Sequence, residues 1–418
     1  MKKRRIYTSY SPNTRIKDLL LDIAILFQPY SWFRGYYPSK IEEWFRNQYM
    51  TDNVFTYNYA RSAIYEFLRA AGIGQNDEVI VPAFTCVAAI NPVLWTGAKA
   101  VYADIDETYL SPGLGSFQKA FTDKTKAIFI QHTFGLSGDL EKTVDWAQEK
   151  GLIVLEDCTQ VLNPFSQRQK ILGTLGDAAV FSFGRDKVVS GVDGGVLVVN
   201  NSEFVEKMRN QQDLLKYPPT SWLLKEILYP LLWAKIKFGM KFGKLGKLLH
   251  YIFTKSGLLT RATDADEKLG LKPSYIPARL PNALARLAYR QLNDLEELNK
   301  HRAEISSIYD SGLKAISGVK RFSFPAGTIL LRYPLLVRDA EKLNKYCTDR
   351  GIVLGDWYKT PVAPAEADIN AAGYHSGDAP IAESVCSQII NLPTSININS
   401  SDAKYIVDVI KEFYLERS

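Results

Sequence analysis

From about residue 52 to residue 200, short apolar runs alternate with stretches whose apolar positions recur every three or four residues. The first pattern predicts buried strands and the second predicts helices with one core-facing side. RSAIYEFLRAAGI (61–73) carries apolar residues at 64, 67, 68 and 71, with Gly72 near its end, and reads as a helix. DEVIVPAF (77–84) reads as a strand that Pro82 terminates. Helix VAAINPVLWTG, strand AKAVYADI, strand KAIFIQHTFG, helix LEKTVDWAQEKG and strand LIVLEDCTQ follow. Strands AAVFSFG and GGVLVVNN complete the series. Apolar strands separated by helices predict an α/β domain with a mostly parallel sheet over 51–210.

The rhythm breaks over 211–275, where SWLLKEILYPLLWAKIKFGMKFGKLGKLLHYIFTK is rich in Lys, Trp, Phe and Leu. Beyond it, LPNALARLAYRQLNDLEELNKHRAEISSIYDSGL (280–313) has the pattern of one long amphipathic helix. The remainder mixes strands such as TILLRYPLLV with helices such as AEKLNKYCTDRG and AKYIVDVIKEFYLE. Four units result: an N-terminal helical segment (1–50), the large α/β domain (51–210), a basic insert (211–275), and a helix followed by a smaller α+β domain (276–418).

Composition narrows the class. The 418-residue chain is 46% hydrophobic and 23% charged, ordinary for a globular protein, and its net charge of +6 does not argue for nucleic acid. Cys86, Cys158, Cys347 and Cys386 form no CxxC pair, which points to reduced thiols in the cytoplasm. His132, His250, His301 and His375 are as scattered, so no metal-ligand spacing exists. MKKRRIYTSY looks like the start of an export signal. TRIKDLLLDIAILF then carries Lys17, Asp18 and Asp22 with no small-residue cleavage site, so no export signal is expected. The best short apolar run, ILYPLLWA (227–234), is too short to span a bilayer.

Polar residues gather where strands end: Thr85, His132, Asp157 with Gln160, and Ser182 with Lys187. In open α/β sheets, ligands bind outside the carboxyl ends of the strands. Lys187 sits in FSFGRDKVVSGVDGG, among small and apolar residues, where a lysine can be kept neutral enough to attack a carbonyl. A solvated surface charge is the plainer alternative. Asp157 can face a protonated pyridine nitrogen, which keeps pyridoxal phosphate (PLP) acting as an electron sink, or it can cap the next helix. Gln160 can reach the cofactor's phenolic oxygen. Ser182 can reach its phosphate, as can Ser62 with the amides opening the 61–73 helix. Gly191, Gly194 and Gly195 let the chain turn back beside it. His132 reads better as a hydrogen-bonded structural histidine than as a pocket residue.

ED-x-x-Q ending a strand, then FSF-x-x-x-K and a Gly-Gly strand start, is a specific order. With RSAIYEFLRAAGIGQNDEVIVPAFTCVAAINPVLWTGAKAVYADID, the HTFG turn, EDCTQ, GDAAVFSFGRDK, GVDGG and GDAPIAESVCSQIINLP, the chain resembles the DegT/StrS-type sugar aminotransferases. The resemblance covers most of 55–210 and, more loosely, 276–415. It implies PLP-dependent fold type I, a homodimer, glutamate as amino donor and a nucleotide-linked keto sugar as acceptor in polysaccharide or glycoconjugate synthesis. It implies Lys187 as the Schiff-base lysine, Asp157 at the pyridine nitrogen, Gln160 at the phenolic oxygen, and Ser182, Ser62 and Ala63 around the phosphate. Three departures stand out. Cys86 replaces a ring-stacking aromatic. Pro277 stands where an Asn would reach the partner's phosphate, leaving Arg279 as a substitute. The insert is longer and more basic than the usual linker. A lyase or desulfurase on the same fold, or a non-catalytic membrane-peripheral scaffold, are the alternatives.

Within the insert, Phe238, Phe242, Leu245, Leu249 and Ile252 fall on one helical stripe, and Lys237, Lys241, Lys244 and Lys247 on a neighbouring one. Residues 221–255 hold seven lysines and one acid, Glu226. Such a helix suits an anionic membrane surface, at about 1 kcal/mol per lysine. A hairpin burying its apolar side against the enzyme body or the second subunit is the alternative, and Gly239, Gly243 and Gly246 weaken any isolated helix.

Overall fold

Seven strands form the main sheet: β1 (Val54–Tyr57), β2 (Glu78–Pro82), β3 (Lys99–Ala103), β4 (Thr125–Gln131), β5 (Ile153–Asp157), β6 (Ala178–Ser182) and β7 (Gly195–Val199), in the order β1-β7-β6-β5-β4-β2-β3. Pairings from β6 through β3 are parallel, and β7 runs antiparallel to both β6 and β1. This computed structural model describes residues 5–10, 13–136, 138–162, 171–314, 316–324 and 328–416. The basic start of the chain, residues 1–4, lies outside the described residues.

The unbroken apolar runs have a simple cause. Val79 and Val81 of β2 pack on one side of the sheet with Phe67 and Ile90, while Ile80 packs on the other with Phe117 and Trp146. A sheet covered on both faces needs apolar residues at every position. Helix Ala60–Ala70 lies on the first face, and its first turn meets the start of β7. A three-stranded antiparallel sheet, Val319–Arg321, Arg332–Val337 and Ile389–Pro393, forms the smaller unit near the C-terminus.

Two long helix patterns are interrupted. The 280–313 stretch is two helices, Asn282–Leu292 and Leu295–Gly312. Asn293 and Asp294, poor residues for a helix interior, stand at the break. The Asp294 carboxylate is taken by Lys17 at 2.8 Å and Arg290 at 2.6 Å. The first of these helices packs against the chain's own helix Tyr37–Tyr49 and is mostly buried.

The insert is a helical hairpin, Thr220–Gly239 and Leu245–Lys255, so the stripe from Phe238 to Ile252 does not run along one helix. Its glycines serve contact between the two helices. A Cβ on Gly246 would lie 2.5 Å from the Met240 nitrogen, and one on Gly239 would lie 3.1 Å from the Gly246 Cα. The first helix buries Trp222, Leu223, Ile227, Trp233 and Ile236 and packs against helix Ile16–Leu26. The second buries only Gly246. The hairpin therefore packs on the enzyme body with one helix and leaves the other largely exposed.

Where β7 begins, a Cβ on Gly195 would overlap the backbone of Tyr59 and Ala60. Backbone cannot step aside as a side-chain tip can. We predict that Gly195→Ala costs about 1–3 kcal/mol in urea unfolding of the cofactor-free protein. Gly115→Ala, in a helix with no heavy atom within 4 Å of the new Cβ, is predicted to be neutral or stabilising by up to about 1 kcal/mol. Equal behaviour of the two variants would contradict the close approach at β7.

Candidate active site

A cavity of about 590 Å³ lies at the carboxyl ends of β5 and β6. That volume is typical for a small-molecule or cofactor site. Lys187, Asp157, Gln160, Ser182 and Cys86 all line it, as does Thr85. Asp157 ends β5, where parallel neighbours on both sides bury it to 4% exposure. Its Oδ1 accepts the Thr159 N–H at 2.9 Å, so it also holds the following turn. Gln160 is fixed at both ends: its Oε1 accepts the Phe134 N–H at 2.8 Å, and its Nε2 donates to the Tyr358 hydroxyl at 3.0 Å.

Lys187 follows β6 in a turn clamped from two directions. Asn13 Nδ2 donates to the Lys187 carbonyl at 2.6 Å and to that of Val188 at 3.0 Å. Arg302 Nη2 donates to Asn13 Oδ1 at 3.0 Å. The Lys187 Nζ lies 3.4 Å from Thr159 Oγ1 and 5.0 Å from the centre of the Trp357 ring. Loss of water around the amine pushes its pKa below the usual lysine value. Asp157 and Cys86 pull the other way, and Arg332 adds to the lowering. Burial also pushes the Cys86 thiol up, which leaves it an uncharged cavity wall.

One expectation is corrected. Ser62 and Ala63 do not line the cavity. Ser62 is fully buried and its hydroxyl donates to Asn58 Oδ1 at 2.7 Å. The helix starts at Ala60, so Ala60 and Arg61 present the first turn to the cavity instead, and Tyr59 supplies no side-chain cap. Opening amides of this kind suit an anion. Pro277 and Arg279 do not line this chain's own cavity; the contact expected of them is with a partner subunit's phosphate. Arg279 donates to the carbonyls of Leu215 at 2.9 Å and Asp213 at 3.0 Å, fastening its segment to its own chain. His132, read as a structural histidine, is off the cavity as expected; its Nε2 lies 3.0 Å from Glu156, and both residues are fully buried.

Several wall residues come from segments far apart in sequence: Tyr10, Arg61, Trp233, His250, Trp357 and Tyr358. Arg332 stacks on Trp357 with its guanidinium carbon 3.7 Å from the ring centre. Arg302 left a readable signal, because it sits on the apolar stripe 295, 298, 302, 305, 309. A charge on that stripe has to be buried with partners.

The cavity fits PLP on the chemistry of its donors. A lysine with a lowered pKa, a buried carboxylate, and a helix start open to an anion border one space. The chain is 25% identical over 388 residues, 92% of each chain, to the GDP-perosamine synthase of Escherichia coli O157:H7. It is 38% identical over 143 residues to the UDP-N-acetyl-3-dehydro-alpha-D-glucosamine 3-aminotransferase of Acidithiobacillus ferrooxidans, covering 34% of this chain and 38% of that one. The structure of Spr1654 from Streptococcus pneumoniae in its PLP form superposes with a TM-score of 0.74 at 18% identity, covering 99% of both chains. The pattern of the DegT/DnrJ/EryC1/StrS aminotransferase family matches residues 20–411, and the chain belongs to that family.

Proposed function

We propose that this protein is a PLP-dependent aminotransferase that moves an amino group from glutamate to a nucleotide-linked keto sugar in glycan biosynthesis. The carrying observation is the placement of Lys187 and Asp157 on one cavity. When bound, PLP supplies an aldehyde for a lysine amine and a ring that withdraws electrons from the substrate carbon. Lys187 Nζ would hold the aldehyde end and would serve as base and acid toward the donor's α-carbon. Its lowered pKa raises the neutral, nucleophilic fraction at neutral pH. Asp157 would keep a proton on the ring nitrogen by charge pairing. Gln160, held by Phe134 and Tyr358, would face the phenolic oxygen, and Ser182 with the Ala60 and Arg61 amides would face the phosphate. Cys86 and Trp357 would border the ring.

A homodimer in the cytoplasm completes the reading. Ile16, Leu20, Ile23 and Phe27 are exposed at helical spacing on the helix Ile16–Leu26 and the residue after it, a stripe that suits a second copy. Four free thiols suit a reducing compartment. Among the described residues no helix is long and apolar enough to cross a membrane. The exposed end of the hairpin suits peripheral contact with an anionic bilayer. Phe238, Phe242, Leu248, Tyr251 and Ile252 are exposed there beside Lys241, Lys244, Lys247 and Lys255. Glu226, the only acid of 221–255, is buried against Arg185 at 2.5 Å.

The reading makes three predictions. With glutamate and a panel of nucleotide-linked keto sugars, the protein forms 2-oxoglutarate and an amino sugar, and Asp157→Asn slows this by at least about 100-fold while PLP still binds. An Asp157→Asn protein of full activity would contradict the assignment. Covalent capture of PLP on the cofactor-free protein, read by borohydride trapping, rises with pH through a midpoint below the ordinary lysine value of 10.5. The sign follows from the amine being neutral above its pKa; a midpoint at or above 10.5 would remove the activated lysine. The protein floats with vesicles containing phosphatidylserine and loses flotation when Lys241, Lys244 and Lys247 are changed to Glu. Unchanged flotation would exclude the hairpin as the contact.

A further inference from the structure

The inner side of the hairpin carries polar atoms that the protein itself leaves unmatched. Trp233, from the first helix, is 7% exposed and lines the cavity, and its indole Nε1 has no hydrogen-bond partner among the described residues. Thr254, from the second helix, lines the same cavity, and its Oγ1 is also buried without a partner. Folded proteins leave few buried polar groups unpaired, so two on one cavity wall ask what fills the space. Around them the wall is aromatic. Tyr10 stacks on Trp233 with ring centres 4.4 Å apart and planes 27° apart, and His250 lies 5.6 Å from Trp233. Arg261 and Lys359 are exposed where they border the same cavity.

A donor N–H and a hydroxyl beside aromatic faces suit a planar, oxygen-bearing group, and two exposed cations suit phosphates. Resting on the aminotransferase reading, we infer that the insert builds the subsite for the nucleotide end of the acceptor. Trp233 Nε1 and Thr254 Oγ1 bond its oxygens, the Tyr10–Trp233–His250 wall packs against its base, and Arg261 and Lys359 meet its diphosphate. The keto sugar then extends toward Lys187. Trp233 and Thr254 are specificity residues in this arrangement; they take no part in the donor half of the reaction.

The test uses the PLP-loaded protein and free UDP, GDP and dTDP, with binding read by calorimetry. Trp233→Phe removes only the N–H and part of the ring, and Thr254→Val removes only the hydroxyl, so both variants are built to fold. At least one nucleotide binds, and each substitution weakens it by about fivefold or more. KM for the acceptor rises in step, while the glutamate half-reaction, followed by the change in cofactor absorbance, keeps its rate. Failure of all three nucleotides to bind, binding that ignores both substitutions, or a glutamate half-reaction that slows as much as the acceptor half would each overturn the subsite. A protein that binds a nucleotide through Trp233 but never accepts an amino group from glutamate would keep the subsite and remove the aminotransferase reading.

Discussion

Everything in this site depends on one amine being held partly out of water next to one buried carboxylate. Taking an ammonium from water is costly, so the chain keeps Lys187 readily neutral and spends other groups on fixing its position. Its backbone carbonyl is held by Asn13, which is itself held by the buried Arg302. Asp157 is placed by the sheet, as the last residue of a strand flanked on both sides by parallel neighbours. The sheet thus fixes the carboxylate, and a three-residue hydrogen-bond chain fixes the backbone of the lysine.

The fold explains why so many segments meet here. The parallel strands open their carboxyl ends in one direction, and the helix Ala60–Ala70 turns its start toward the same opening. The smaller unit adds Trp357 and Tyr358, and the two-residue strand Val362–Ala363 pairs in parallel with Thr85–Cys86 at the cavity wall. The insert closes another side. Arg185 Nη1 donates to the Thr260 carbonyl at 2.6 Å and Arg61 Nη1 to that of Ala262 at 3.3 Å, so the chain returning from the hairpin is tied over the cavity by residues of the large domain. One element therefore has two exposures of different character: an inner wall facing the cavity and an outer end rich in lysine and apolar side chains.

Much of this was legible in the sequence, and what was missed has physical reasons. Asp157, Gln160, Ser182 and Lys187 belong to strand ends, and strand ends are visible as the close of an apolar run. The family resemblance rested on the same residues. Ser62 and Ala63 were misplaced because a helix start is uncertain by a residue or two, and on a helix that shift rotates a side chain off the cavity. Tyr10, Trp233, His250 and Trp357 reach the cavity from sites spread over the whole chain, and local periodicity carries no information about where a distant loop lands. The insert was read as one long stripe because a 3.6-residue pattern continues smoothly through Gly239–Lys244. What breaks it is the close packing of Gly239 against Gly246, a tertiary contact.

The most direct test of the central claim is to add PLP to the protein, reduce it with borohydride and map the peptides by mass spectrometry. The account predicts a single pyridoxyl group on the peptide containing Lys187. A pyridoxyl group on a different lysine, or none on the folded protein, would contradict it.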